Sequence, residues 1–426
     1  MRMKRNGKRN VGAVLVAACA VFALVACGQP NAPGAGKTDD GKLVLSTWQW
    51  DEAGSGDFWR EAVEAYNADH PELPIEVRSQ PSTSYWDQLL VELQGPQPPD
   101  IIHVSGFNLH EITAMGAIEP LDDLATEEGW GDRINANALD FATVDESLMA
   151  YPISGRTMEL IYNEPLLKEA GFDGPPTTPQ EYLEYARALT VQDGNSVTQY
   201  GAIMPGGDDR YTYEAVLLWS LAFGGNLAAD GKPTLTDPGT VEGVEFMQEL
   251  YNEMLVPQSV PYPDQRQLLA QGQAAMAIDG SWLFPLIEST NPNGLADFKT
   301  ARVPWASGVS TGGPMQLLSV GANSAQAAQA REFIAMVSQP DWQKKYFAKA
   351  GTIPYGNDVV SPDAWSNQPW MKAYIDSLPT AEPIPPRGME AEYSTFSAAV
   401  QRAVSGDVLL RGMNAGDVLK KLQDSY

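Results

Sequence analysis

The chain has 426 residues, with 28 Lys and Arg against 54 Asp and Glu, 3 His and 2 Cys. At roughly 150 residues per domain that predicts two or three domains, and an apolar share of 43% is ordinary for a globular chain and unlike a polytopic membrane protein. A net charge of −26 excludes a phosphate-backbone binder, which needs clustered Lys and Arg, and two cysteines exclude a disulfide scaffold or a four-cysteine metal site.

The N-terminus opens with Arg2, Lys4, Arg5, Lys8 and Arg9, then an uncharged stretch from Val11 to Ala26 that ends in small residues. This is the pattern of a signal peptide over 1–26, and the stretch is shorter than the ~20 residues a spanning helix needs. Leu24-Val25-Ala26-Cys27 resembles the bacterial lipobox, so Cys27 is expected to carry lipid and become the mature N-terminus. Val16-Ala17-Ala18-Cys19 is a weaker match, because cleavage there leaves too short an apolar stretch. Loss of five basic residues leaves a mature charge of about −31. Residues 27–42, rich in Gly, Pro and Asn, read as a flexible tether.

Leu43 to Thr47 reads as a strand that breaks into Trp48-Gln49-Trp50-Asp51. Phe58, Trp59, Ala62, Val63 and Tyr66 repeat at helical spacing, Ile75 to Val77 alternates as a strand, and Tyr85 to Leu93 is helical again. Asp100 to Val104 is a buried-type strand closed by Ser105-Gly106. Strands alternating with helices imply a parallel α/β sheet, whose ligands sit at the carboxyl ends of its strands. That selects the loops carrying Trp48, Trp50 and Asp51, and Ser105, Phe107 and Asn108. Each polar residue among these reads equally as part of a solvated loop.

Beyond Tyr151-Pro152-Ile153 helices dominate, over 179–189, 213–222, 240–254, 265–271, 281–289, 325–337, 393–404 and 415–422, with few and short strand-like runs such as 275–278 and 317–320. Gly308-Val309-Ser310-Thr311-Gly312 fits a nucleophile elbow, but His70, His103 and His110 all precede it, whereas the base of such hydrolases follows the serine. The glycines and Lys232 at 225–233 miss phosphate-loop spacing, and His103 and His110 lack a partner pair for zinc. No cofactor and no metal is expected.

Taken in order, several segments resemble the extracellular solute-binding proteins of carbohydrate ABC importers, the maltose-binding and multiple-sugar-binding class. They are Pro99-Asp100-Ile101-Ile102, Gly116 to Leu121, Tyr151-Pro152-Ile153 with Leu160 to Asn163, and Leu166 to Gly171. Pro176 to Glu181 follows, with Pro179 where the family usually has Trp, then Gly272 to Trp282, Ala330 to Ile334 and Gly351 to Pro354. The resemblance implies an α/β, two-lobe, hinged fold with several crossings. Lobe 1 is expected to comprise 43–154 and 305–360, and lobe 2 to comprise 155–304 and 361–426.

It also implies a non-enzymatic monomer that captures a sugar, expected to be an oligosaccharide, and delivers it to permease subunits at the outer face of the cytoplasmic membrane of a Gram-positive bacterium. The alternatives are an anchored glycoside hydrolase or esterase, or a binding protein for another solute. Sugar sites pair flat aromatic faces with hydrogen-bonding side chains. By family position Trp282 is the stacking tryptophan of the second lobe and Tyr393 a second stacking aromatic. Arg156 stands where relatives have a ligand-contacting carboxylate, and Arg210, Tyr211, Tyr213 and Glu214 precede a helix from which the family draws contacts. Trp305 reads as hinge packing rather than a ligand contact, and Gly312-Gly313 reads equally as a close backbone approach to a ligand or a plain turn.

Overall fold

The computed structural model describes residues 42–426 except 195, 358, 360–365 and 387, so the expected signal peptide, Cys27 and the tether up to 41 lie outside the described residues. Among the described residues no helix is long and apolar enough to cross a membrane.

The first lobe starts with β1 (Leu43–Thr47), α1 (Ser55–Asp69), β2 (Ile75–Ser79), α2 (Tyr85–Gln94), β3 (Ile101–Ser105) and α3 (Leu109–Ala114). β1 pairs in parallel with β2 and with β3. The sheet does not stay parallel: the long β9 (Thr311–Gly321) returns antiparallel to β3 and to β4 (Tyr151–Thr157), giving an eight-stranded mixed sheet among the described residues. A tightly packed core centred on Phe58, Trp59, Tyr66, Trp130 and Phe333 fills this lobe. Helices α9 (Ala327–Val337) and α10 (Pro340–Ala350) complete it from late in the chain.

The chain leaves this sheet at Thr157. Met158 makes the turn and Glu159 begins β5 (Glu159–Asn163) of the second sheet. The sequence puts the crossing at 154/155, but Gly155, Arg156 and Thr157 all stay in register with β9. The side chain of Trp305, assigned by sequence to lobe 1, packs instead in the second lobe's core.

That lobe holds α4 (Pro179–Leu189), β6 (Ser196–Ile203), α5 (Arg210–Ala222), α6 (Pro238–Asn252), α7 (Tyr262–Ala270), β7 (Ala274–Asp279), α8 (Leu283–Thr290) and β8 (Phe298–Ala301). Its five-stranded sheet runs β8, β5, β7, β6 and an edge strand at Val191–Asp193, more strand than the sequence suggests. Leu160 and Tyr162 enter a core on one face while Ile161 enters another on the opposite face, the alternation expected of a sheet covered on both sides. Helices α11 (Tyr393–Arg402) and α12 (Ala415–Gln423) close the chain against α5 and α6.

Candidate functional site

A cleft of about 590 Å³ lies between the two lobes, within the ~300–1,000 Å³ of small-molecule sites. The first lobe supplies Trp48, Gln49, Asp51 and Glu52 from the turn after β1 and Gln80 to Thr83 from the turn after β2. The second supplies Asp209, Arg210 and Tyr211 at the start of α5, Asp264, Arg266 and Gln267 from α7, and Trp282 before α8. Arg156 of β4, Gln316 of β9 and Thr352 reach it from the hinge strands and the segment after α10.

The aromatic on each side is fixed by its neighbours. Trp48 is buried and stacks on His103 at 4.0 Å between ring centroids. His103 Nδ1 in turn lies 2.8 Å from Thr47 Oγ1, and burial drives the imidazole down to about 3, so His103 is a neutral platform at working pH. Across the cleft, the Trp282 ring lies over the bare Cα of Gly280: a Cβ there would fall 2.1 Å from the indole. Gly280 therefore follows Asp279 because no other residue leaves room for that ring.

Two arginines are held by buried carboxylates. Arg266 makes a bidentate pair with Asp279, Nε to Oδ2 at 2.6 Å and Nη2 to Oδ1 at 2.8 Å. Asp279 also accepts from Tyr262 Oη and from Gly280 N, so its lone pairs are spoken for and the guanidinium is locked among the rings of Tyr211, Tyr262 and Trp282. Arg156, 3% exposed, lies 2.7 Å from Glu214 Oε1 through Nη2 and over the rings of Phe107 and Trp282. Its Nε has no hydrogen-bond partner. An unpaired buried polar atom is costly, and a hydroxylated solute in the cleft would satisfy it.

Arg210 differs. It donates to Tyr211 Oη at 3.4 Å, and among the described residues it forms no ion pair within 4.0 Å. Glu52, partly exposed on the facing lobe, is pushed up to about 7 by burial, with Arg210 and Arg266 pulling the other way. Burial also raises Asp209, which caps α5 by accepting from Tyr211 N at 2.9 Å. Burial would raise the Tyr211 phenol too, but Arg210 and Arg266 outweigh it and hold it below its ordinary value.

Of the residues expected from sequence, Trp48, Asp51, Arg156, Arg210, Tyr211 and Trp282 come together on the cleft. Phe107, Glu214 and Tyr393 gather with Arg156, Arg210 and Tyr211 around a smaller adjoining pocket. The others do not reach the opening. Trp50 packs against the first lobe's core with Arg60 over its ring, Tyr213 is fully buried edge-on to Tyr393, and Ser105 bonds the backbone of Phe107. Asn108 donates to Ser394 of the second lobe at 3.4 Å. Sequence reasoning missed Glu52, Arg266 and Gln316. Arg266 reads as a surface residue of an amphipathic helix, and only the fold brings it to Asp279. Ser310 of the elbow-like motif is buried at the hinge, its Oγ accepting from Met158 N and donating to Met158 O, so it is a structural tie between crossing strands.

Known proteins resemble this chain in sequence and in fold. An uncharacterized lipoprotein of Streptomyces antibioticus is 28% identical over 230 residues, 51% of this chain and 47% of its own length, so that match spans about half of the relative. A probable sugar-binding periplasmic protein of Rhizobium meliloti is 21% identical over 75% of this chain and 77% of its own. The solved structure of maltose-bound MalE3 of T. maritima superposes with a TM-score of 0.81 at 21% identity, covering 90% of this chain and 98% of that one, which establishes the two-lobe fold. The model of the bacterial extracellular solute-binding protein family matches residues 49–344, and this chain belongs to that family.

Proposed function

We propose that the protein is the sugar-binding component of an ABC importer, which captures its solute between the lobes, returns it unaltered and hands it to permease subunits. The observation that carries this reading is the pairing of Trp48 and Trp282 from opposite lobes across a cleft floored by Arg156 and Gln316. Flat apolar faces beside an unpaired guanidinium N–H match a ring edged with hydroxyls. The sugar-binding relatives support it, as does a lipoprotein among them. Cys27 would hold the protein by lipid at the outer face of a Gram-positive membrane, acting as a monomer.

Titration calorimetry against a panel of mono- and oligosaccharides, with the recovered solute analysed by chromatography, tests the reading. The expected result is saturable 1:1 binding and an intact sugar. Cleavage of the solute would make the protein a hydrolase, and binding of no sugar would leave the cleft to another solute. Replacement of Cys27 by Ala is expected to release the protein into the medium.

A further inference from the structure

We propose that the solute is an acidic sugar, a uronic acid whose single carboxylate is held between Arg210 of the second lobe and Glu52 of the first. This rests on the sugar-binding reading above and narrows its substrate class.

The argument is one of charge compensation. Three guanidinium groups line the cleft. Glu214 answers Arg156 at 2.7 Å and Asp279 answers Arg266 through two hydrogen bonds, so neither needs a counter-ion from the solute. Arg210 has only the hydroxyl and ring of Tyr211, and no carboxylate among the described residues lies within ion-pair distance of it. A guanidinium drawn into a cleft without an anion is unfavourable, and a bidentate carboxylate is the partner its fork fits best.

Glu52 supplies the second half of the seat. It lines the same cleft as Arg210 from the other lobe, beyond ion-pair distance, and the two charges act on each other. A carboxyl that titrates near neutrality can hold its proton and donate it to an incoming carboxylate, as a fully ionised one cannot. The lowered Tyr211 phenol beside the two arginines marks the same place as electropositive.

The rest of the lining limits the anion to one charge. Asp51, Asp209 and Asp264 line the same cleft and would repel a dianionic phosphate more strongly than a singly charged carboxylate. Arg210 stands where the main cleft meets the smaller pocket of Phe107 and Tyr393, so the acidic residue occupies that end and neutral rings would extend from it.

Calorimetry with D-galacturonate and its di- and trisaccharides, the corresponding methyl esters, the neutral galactose compounds and galactose 6-phosphate decides the matter. The acids are expected to bind about 10- to 100-fold more tightly than their methyl esters, the range of a charge-assisted bidentate contact. Arg210→Gln should collapse that ratio towards one. Glu52→Gln, whose amide still donates, should preserve it, and a far-ultraviolet melt of each variant verifies the fold. Methyl esters or neutral sugars binding as tightly as the acids would overturn the carboxylate while leaving the sugar reading intact. Tighter binding of the phosphate would replace it with a dianion. A preference that survives in well-folded Arg210→Gln would move the seat elsewhere. Binding of no sugar in any form would overturn both readings.

Discussion

Trp282 owes its place to a glycine two residues earlier and to an ion pair beneath it. Asp279 is wholly buried and has every acceptor occupied, so Arg266 is fixed and the indole rests 5.7 Å from its guanidinium. Adding a methyl at Gly280 must push the far edge of the ring aside, which shifts the aromatic face while leaving the second sheet intact. Gly280→Ala is therefore expected to weaken sugar binding by about 0.5–1.5 kcal/mol, the scale of a displaced aromatic contact. Trp282→Ala is expected to cost about 1–3 kcal/mol, as for a buried aromatic anchor. Calorimetry on the best-binding sugar, paired with thermal melts, checks both. Equal affinity in Gly280→Ala and the parent would mean that the ring does not touch the solute. The motif Asp279-Gly280-Ser281-Trp282 was legible because these four residues act within one turn of chain. Arg266 and Gln316 were not, since their roles exist only once α7 and β9 have been carried to a partner distant in sequence.

At the scale of the element, the strand following the first crossing begins with a buried acid. Glu159 accepts from Val303 N at 2.8 Å and from the Ser377 hydroxyl, with Arg302 Nε 3.8 Å away. Burial nonetheless dominates and pushes it up to about 7. In an unfolded chain the same group titrates near its ordinary 4.5, so between these values the folded state holds more protons. Its contribution to stability then falls as pH rises through that window, by up to about 3 kcal/mol. Glu159→Gln removes the titration, so the melting temperature of this variant relative to the parent should rise between pH 5 and pH 8. An unchanged difference would show that Glu159 is ionised throughout. Helices were the easier elements to read, because an apolar stripe at 3.6-residue spacing survives any environment. β6 was not: its first residues, Ser196 to Gln199, lie at an exposed or half-exposed edge, and Gly201 is there because its Cα meets the Ala186 backbone. Neither reason produces a Val- and Ile-rich run.

Over the whole molecule, the lobes are joined by strands at the hinge and by side chains across the mouth. Ser310 ties Met158 to β9 at the crossing. On one side of the mouth, Ser82 of the first lobe lies 3.1 Å from Tyr211 Oη of the second. On the other, Ser394 accepts from Asn108 and donates to Glu111. These contacts join residues of opposite lobes, and a solute that bridges the lobes shifts the population towards an arrangement in which they are made. A neutral hydrogen bond is worth about 0.5–1.5 kcal/mol and one to a carboxylate about 1.5–3 kcal/mol, and apparent affinity scales with the fraction of protein in the binding-competent state. Ser394→Ala is thus expected to lower sugar affinity by up to about 10- to 100-fold and to raise the radius of gyration of the free protein in small-angle scattering. At saturating sugar the scattering of variant and parent should coincide, because the solute then supplies the bridge. A variant that binds as tightly as the parent and scatters identically when free would show that Ser394 does not hold the mouth shut.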